Sequence, residues 1–504
     1  MIGTDDRLVF GKPRLTGLPI CAIIPAMLHS GEAPPVRQVL WKGFEPMQNR
    51  EKFSSRLGFL LISAGCAIGL GNVYRFPIWC GAYGGGIFLV FYLAFLLLLG
   101  IPVMTAELAV GRASGRSIAT SFDVLQKKGQ KWHWMKYLGV AANYMLMMFY
   151  TSITGWFFIY FFKFLNGSIS AQGAEVGIEV FVNMITNPTL NIMMTILVIL
   201  LGFGVCAMGL QKGVERITKV MMLLLFLLVM GLAIYALILP GAGKGLAFYF
   251  IPNPANAAEY GLGTVISGAM SQAFFTLSLG IGSIAIFGSY IDRDRSLLGE
   301  SLTIVGMDTF VALMSGLIIF PAFFTFNPEA TAIGADQAGA VFLFTTLSSI
   351  FNNMAAGRFI GAVFFLFMVF AAMSTVIAVF ENIMSFWLEW TKLSRLKIAV
   401  LNAVAFALLT LPFIYSNIGG FFSQKIFLGR NFGDFEDFLV SNLALPIGSL
   451  VYVLFCTWRF GWGWDKYILE VNAGEGAKVP AWMRPYMTYV LPLIIIVVLF
   501  IQLF

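Results

Sequence analysis

From about residue 57 onward the chain is a succession of long apolar runs separated by short polar stretches. The runs cover about 57–78, 87–110, 137–165, 191–211, 214–239, 260–288, 300–326, 359–391, 396–416, 438–459 and 486–504. A helix needs roughly 20 apolar residues to cross the hydrocarbon of a bilayer, so the pattern predicts an all-α, polytopic membrane protein of about eleven spans. Residues 327–358 lack a clean run of that length, and a packed hairpin outside the membrane fits them better than another span. Residues 461–484, rich in Trp and charge, read as an interfacial element. Residues 1–46 differ from everything that follows: they mix Gly, Pro and scattered charge, and their one apolar run, Leu18–Met27, is too short to span. They are expected to be a disordered tail or residues ahead of a true start at Met47. That leaves 47–504 as the membrane domain, with spans one to five over about 57–239, six to ten over about 260–459 and the last over about 486–504.

Two of these runs are interrupted in their middle. The first, RLGFLLISAGCAIGLGNVYRFP from Arg56 to Pro77, carries Gly65, Gly69 and Gly71. Glycine costs a helix about 1 kcal/mol relative to alanine, so three of them this close invite unwinding. Hydrocarbon tolerates unwound backbone only where it faces a protein-lined cavity. There, freed carbonyls can coordinate a cation and freed N–H groups can hold a carboxylate. Asn72 adds a side-chain oxygen just beyond. A kinked structural helix, its glycines serving close packing alone, is the alternative. The second interrupted run, SQAFFTLSLGIGSIAIFGSY from Ser271 to Tyr290, carries Ser278, Gly280 and Gly282. A pair of glycine-interrupted segments at corresponding places points to the binding site of a secondary transporter. Spans one to five then answer six to ten, and because spans one and six enter from opposite sides the repeat is inverted, five plus five, with one extra span. No sequence identity between the halves is visible, so the inversion is inferred from topology.

Composition and charge narrow the class. Of the 504 residues 59% are hydrophobic and only 11% charged, against about 25% charged in a soluble domain. The net charge of +7 does not imply nucleic acid, because the basic residues sort by side of the membrane. Arg50, Lys52 and Arg56 precede span one, and basic clusters recur in alternate loops up to Lys478 and Arg484. This places the N-terminus in the cytoplasm and, with an odd number of spans, Phe504 outside. The five cysteines lack metal or redox spacing and read as packing residues. With His29 and His133 the only histidines, and no nucleophile–base pair, an enzyme is not expected.

The stretches SAGCAIGLGNVYRFP, GAYGGGIF, GIPVMTAELAVGR, KGVER (Lys212–Arg216) and FFTLSLGIG resemble the neurotransmitter:sodium symporter family from about Arg50 to Phe504. The chain lacks a twelfth span, as do several bacterial members. The resemblance implies two sodium sites and one substrate site. The first sodium site would use the Ala67 carbonyl, the Asn72 side chain, Thr276 and Asp308, which stands where the family usually has Asn. The second would use the carbonyls of Gly65, Ile68 and Ala371 with the hydroxyls of Ser374 and Thr375, hard oxygens suited to a small alkali cation. Taken without the motif, Ser374 and Thr375 would read as ordinary helix–helix hydrogen bonding.

The amides of Leu70 and Gly71, with the Tyr150 hydroxyl, would hold a substrate carboxylate. Monoamine transporters of the family place an Asp where this chain has Gly69, which points to an α-amino acid bringing its own carboxylate. Leu146, Phe275, Ile281, Val376 and Val379 would form an apolar wall, with Ala67, Thr276 and Ser278 beside it. Arg75 and Asp437 would close the outside, with Phe275 as lid, and Arg50 and Glu389 the inside; each also fits a solvated loop or interfacial charge. Chloride-dependent members bind Cl⁻ beside the first sodium site. Here the neighbours are Tyr92, Gln272 and Thr276, the usual serine or carboxylate position falls near Ala312, which has neither, and Asp308 could supply the negative charge. Intramembrane carboxylates are generally functional; Glu107 and Glu381 qualify for coupling or for a protonated structural bond.

The expectation is a sodium-coupled symporter importing an apolar or aromatic amino acid by alternating access, multi-pass in a bacterial inner (plasma) membrane. Sodium is the coupling ion, and no organic cofactor or nucleic-acid partner is implied. An ion channel, or a non-transporting receptor of the same fold, is the alternative. A channel would show a continuous polar stripe, whereas the polar residues cluster at two breaks.

Overall fold

The computed structural model describes residues 53–169, 173–257, 261–330, 333, 340, 342–352, 354 and 356–503. Arg50 and the segment 1–46 lie outside them. Among the described residues every regular element is helical. Among these described residues, nine helices are long and apolar enough to cross a membrane, and one bent pair makes a tenth.

The bent pair is α1 (Arg56–Ala67) and α2 (Gly71–Ala82), at 49° to one another. Ser55 caps α1 by accepting from the Gly58 N–H at 3.1 Å. The continuous spans are α3 (Gly86–Ser114), α4 (Trp132–Asn166), α5 (Pro188–Ala207) and α6 (Leu210–Leu237). After the second break come α9 (Leu297–Phe326), α10 (Gly357–Trp390), α11 (Arg395–Ser416), α12 (Phe432–Thr457) and α13 (Met483–Gln502). The run over 260–288 is not one helix: α7 (Leu262–Thr276) stops, residues 277–282 turn, and α8 (Ser283–Gly288) resumes.

Among the described residues, shorter helices between spans that an apolar-run criterion passes over include Gly173–Ile185, Ala242–Phe250 and Trp464–Val471. The last sits in the stretch expected to be interfacial. The expected external hairpin contains an apolar helical segment, Phe342–Asn352, and part of it lies outside the described residues.

α4 and α10 pack along each other at the centre, and α1 lies against α9 and α10. α8 rests on α3, where a Cβ at Gly111 would overlap the Ala285 carbonyl. Peripheral helices turn large apolar side chains outward, such as Leu223 and Leu227 of α6 and Val400, Leu401 and Val404 of α11. A surface of this kind belongs in hydrocarbon. The chain is a multi-pass integral membrane protein whose two breaks lie buried among its central helices.

Candidate substrate and cation site

α1 ends where Ile68 leaves helical backbone, at φ −72° and ψ 99°. Its last carbonyls then face α10. Thr375 Oγ1 lies 3.0 Å from Gly65 O and 3.3 Å from both Cys66 O and Ile68 O. Ser374 Oγ lies 2.8 Å from Ala371 O and 3.2 Å from Ile68 O. A hydroxyl carries one proton and can donate to one of these carbonyls at a time. What remains is a convergence of oxygen lone pairs, which suits a hard cation better than a closed hydrogen-bond network. Gly65, Ile68, Ala371, Ser374 and Thr375 are thus brought together, with the Cys66 carbonyl as an addition.

The freed N–H groups find equally exchangeable partners. Gly69 N–H donates to Asn72 Oδ1 at 3.0 Å, and Leu70 N–H to Tyr150 Oη at 2.8 Å. No side chain fits at 69, because a Cβ there would overlap Tyr150 Oη and Thr375 Oγ1. At Gly71 a Cβ would come within 2.7 Å of the Thr276 Cα, so α2 and α7 touch backbone to backbone.

Beside this lies a second corner containing a carboxylate. Asn72 Nδ2 donates to Asp308 Oδ1 at 2.8 Å and to Asp308 O at 2.9 Å. Thr276 Oγ1 donates towards Asp308 Oδ1 at 3.2 Å. Tyr92 is buried next to Asp308. Gln272 Nε2 donates to Gly71 O at 2.7 Å, while its Oε1 has no partner among the described residues. Ala312 is buried on the same helix as Asp308 and contributes no charge.

The break between α7 and α8 is built differently. Ser278 has φ 51°, a left-handed conformation uncommon outside glycine, and Gly280 and Gly282 follow at 87° and 79°. Glu107 from α3 accepts from Gly280 N–H at 2.9 Å and from Ile284 N–H at 3.1 Å. Asn143 Nδ2 donates to Ile281 O at 2.7 Å, and its Oδ1 receives Asn382 Nδ2 at 3.0 Å. The Ser278 hydroxyl donates to Cys66 O at 3.3 Å, which ties the two breaks together.

Between the breaks is a cavity of only about 10 Å³, lined by Ala67, Gly71, Leu146, Tyr150, Phe275, Ser278, Thr375 and Leu445. That is room for roughly one water, so an organic ligand enters only if the helices move. Among the expected lining residues, Leu70 faces outward to a larger vestibule and Thr276 joins the Asp308 corner. Ile281, Val376 and Val379 are buried but stand outside the lining, and Val376 sits against Gly202 of α5. Leu445 of α12 is an addition to the lining.

Likeness to known proteins agrees with this geometry. The profile of the Sodium:neurotransmitter symporter family matches residues 50–177 and 178–504. The chain belongs to this family. This symporter is similar to an uncharacterized sodium-dependent transporter, YhdH, of Bacillus subtilis (strain 168), 30% identical over 455 residues that cover 90% of this chain and 97% of that protein. It is also similar to the solved structure of MhsT in complex with L-phenylalanine, with TM-score 0.80 and 34% identity over 90% of this chain and 100% of that one. The human sodium-dependent neutral amino acid transporter SLC6A17 is 27% identical over 309 residues, 54% of this chain and 41% of that protein. The protein is therefore a sodium-dependent membrane transporter and not an enzyme.

At one end of the symporter's cavity a vestibule of about 370 Å³ opens between Trp79, Phe149, Trp156 and Asp437. Phe275 lines both spaces and divides them. Arg75 pairs with Asp437 at 2.9 Å and Ser441 Oγ at 2.6 Å, and its guanidinium lies over the rings of Trp79 and Phe275 at 4.2 and 4.5 Å. The expected outer pair and its aromatic lid are thus in contact.

At the other end Glu389 accepts from Ser117 N–H at 2.7 Å, Ser117 Oγ at 2.8 Å and Thr120 Oγ1 at 2.5 Å. Its expected partner, Arg50, lies outside the described residues. Glu381 accepts from Tyr290 Oη at 3.2 Å and forms an ion pair with Arg395, whose Nε reaches Cys206 O at 2.6 Å. Sequence reasoning does not single out Asn143, Asn382 or Arg395. For the two asparagines the available signal was a carboxamide inside an apolar run, a polar group that must find a helix partner in the membrane; Arg395 offered only its place in a basic loop.

Proposed function

We propose that this symporter imports an apolar or aromatic α-amino acid with Na⁺ by alternating access, using two sodium sites at the break of its first span. On this reading α1–α2 and α7–α8 are each one broken span. Spans one to five and six to ten then form an inverted five-plus-five repeat, with α13 as the eleventh span. The basic loops orient the N-terminus to the cytoplasm and the C-terminus outside. One sodium is held by Gly65, Ile68, Ala371, Ser374 and Thr375, and the other by Ala67, Asn72, Thr276 and Asp308. The Leu70 and Gly71 amides and the Tyr150 hydroxyl take the substrate carboxylate. Arg75, Asp437 and Phe275 close the outer side, and Glu389 with Arg50 the inner.

The observation that carries the reading is the convergence of the Gly65, Cys66 and Ile68 carbonyls on Thr375, the last of them two residues before the Leu70–Tyr150 pair. Cation and carboxylate positions are adjacent, so each ligand offsets the other's charge. The crowding at Gly69 leaves no place for a fixed carboxylate, so the substrate brings it. The apolar character of Leu146, Phe275 and Leu445 favours an apolar side chain, and the phenylalanine bound in MhsT is of that class. Uncompensated charge is costly at this depth. With Asp308 offsetting the second sodium, transport needs no chloride.

The test is uptake into proteoliposomes of each of the twenty radiolabelled amino acids, driven by Na⁺ or by K⁺ gradients. Phe, Leu, Ile and Met are expected to accumulate with Na⁺ and to compete with one another, since a methylene discriminates by only about 1–3 kcal/mol. Competition dominated by a charged amino acid or a monoamine would overturn the substrate class.

A further inference from the structure

We propose that Arg459 and Arg484 form a binding site for the phosphate headgroup of an anionic phospholipid, on the face where the tenth span leaves the membrane and the last one enters it. A cavity of about 540 Å³ lies between the ends of α12 and α13. Trp458, Arg459, Phe460, Arg484, Thr488 and Tyr489 line it. Both arginines are exposed, and neither has a carboxylate partner among the described residues.

This separates them from other cations in the neighbouring loops. Arg112 and Arg293 share Glu470 at 2.7 and 3.0 Å, and Arg295 faces Glu475 at 3.7 Å. Lys127 adds a further positive charge at the site's edge, its Nζ donating to Arg459 O at 3.0 Å. The result is a concentration of positive charge with no carboxylate ion pair to Arg459 or Arg484 among the described residues, at a helix end that adjoins the membrane.

The site is also held in shape. Trp458 Nε1 donates to Thr488 O at 3.2 Å and pins the two helix ends together, and Trp132 Nε1 donates to Phe460 O at 2.7 Å. Guanidinium groups match phosphate oxygens in a planar, bidentate geometry that an ammonium cannot reproduce. Trp and Tyr rings favour the headgroup level of a bilayer, and Trp458 and Tyr489 are 41% and 71% exposed there. Beyond them the outer face of α13 presents Leu493, Val497 and Phe500 to the surroundings, a path for an acyl chain. A free phosphate would use the arginines and nothing else. This apolar continuation is what commits the site to a lipid.

The experiment uses the full chain in detergent, with binding read by native mass spectrometry. The probes are phosphatidylglycerol, phosphatidylcholine of the same acyl chains, and inorganic phosphate. Phosphatidylglycerol is expected to be retained in preference to phosphatidylcholine. A juxtamembrane cation contributes about fivefold each, so Arg459→Gln/Arg484→Gln should lower phosphatidylglycerol affinity by roughly 10- to 30-fold. Arg216→Gln, an exposed arginine elsewhere, should leave it unchanged. Equal unfolding temperatures of the three proteins in phosphatidylcholine would show that folding is not what the double variant alters. Undiminished phosphatidylglycerol retention in the double variant overturns the site. Displacement of the lipid by inorganic phosphate at equal concentration overturns its assignment to a lipid.

Discussion

The two breaks in this transporter solve the same problem with different chemistry. At the second, the freed groups meet permanent partners: Glu107 takes the N–H groups of Gly280 and Ile284, and Asn143 takes the Ile281 carbonyl. At the first, they meet hydroxyls and one another: Thr375 is shared among three carbonyls, and Tyr150 holds the Leu70 N–H. Each oxygen of the buried Glu107 side chain accepts a backbone N–H of its own, which leaves the second break fixed. The first is held by bonds that a cation and a carboxylate can replace. Helix breakage alone therefore does not make a binding site. What distinguishes one is that the freed groups are satisfied weakly enough to be exchanged.

The first break is most sensitive to substitution at Gly69. A Cβ there would overlap Tyr150 Oη and Thr375 Oγ1 at once. Gly69→Ala should lower sodium-driven uptake by roughly 100-fold, the cost of displacing binding groups by about 1 Å, while the protein still reaches the membrane. Near-normal uptake would mean that the first break is roomier than its contacts indicate.

Glu107→Gln tests the second break. The substitution keeps shape but turns one carboxylate oxygen into an amide donor facing backbone N–H groups. A loss of about 2–4 kcal/mol in stability follows from leaving such groups without an acceptor. Thermal unfolding should report it directly. Among molecules that remain folded, the Na⁺ concentration for half-maximal uptake should change less than the stability does. The reverse pattern would give Glu107 a place in ion binding.

Thr375→Ala acts in the opposite sense, with little effect on unfolding and a large one on sodium. An oxygen facing a charge is worth about 1.5–3 kcal/mol, so half-activation by Na⁺ should rise roughly tenfold or more. Ser374→Ala should do the same to a lesser degree, because its hydroxyl sits closer to Ala371 O than to the break. Unchanged sodium dependence in both variants would remove this ligand set.

The smallest and most specific effect belongs to Asp308. Uptake by the natural chain should be equal in NaCl and sodium gluconate. Asp308→Asn should weaken sodium activation by several-fold, with chloride restoring part of it through Tyr92 and Gln272. A strong chloride requirement in the natural chain would put the Asp308 carboxylate outside the sodium shell.

Much of this was legible in the chain because the bilayer imposes a length on its helices. Apolar runs such as 87–110 and 300–326 correspond to α3 (Gly86–Ser114) and α9 (Leu297–Phe326) within a few residues. The glycines located both breaks, but not their extent: Gly65 remains inside α1, and backbone leaves the helix only at Ile68. What was hidden is the pairing across distance. Nothing local marks Asn143 as the partner of Ile281, or Arg395 as the partner of Glu381. Both depend on which helices the fold sets side by side. Val376 shows the same limit: it follows Thr375 in the chain, but neighbouring helix residues do not share a face, and it packs towards Gly202 instead.

On this reading a cation and a carboxylate share the first break. The most direct measurement is paired equilibrium binding to the purified protein: radiolabelled phenylalanine titrated at several Na⁺ concentrations, and ²²Na⁺ titrated with and without phenylalanine. Linkage requires each ligand to raise the affinity of the other by the same factor, and adjacency at Gly69–Leu70 predicts a factor of roughly 5–150, the usual range of coupling between two sites. Phenylalanine binding indifferent to Na⁺, with ²²Na⁺ binding indifferent to phenylalanine, would contradict it.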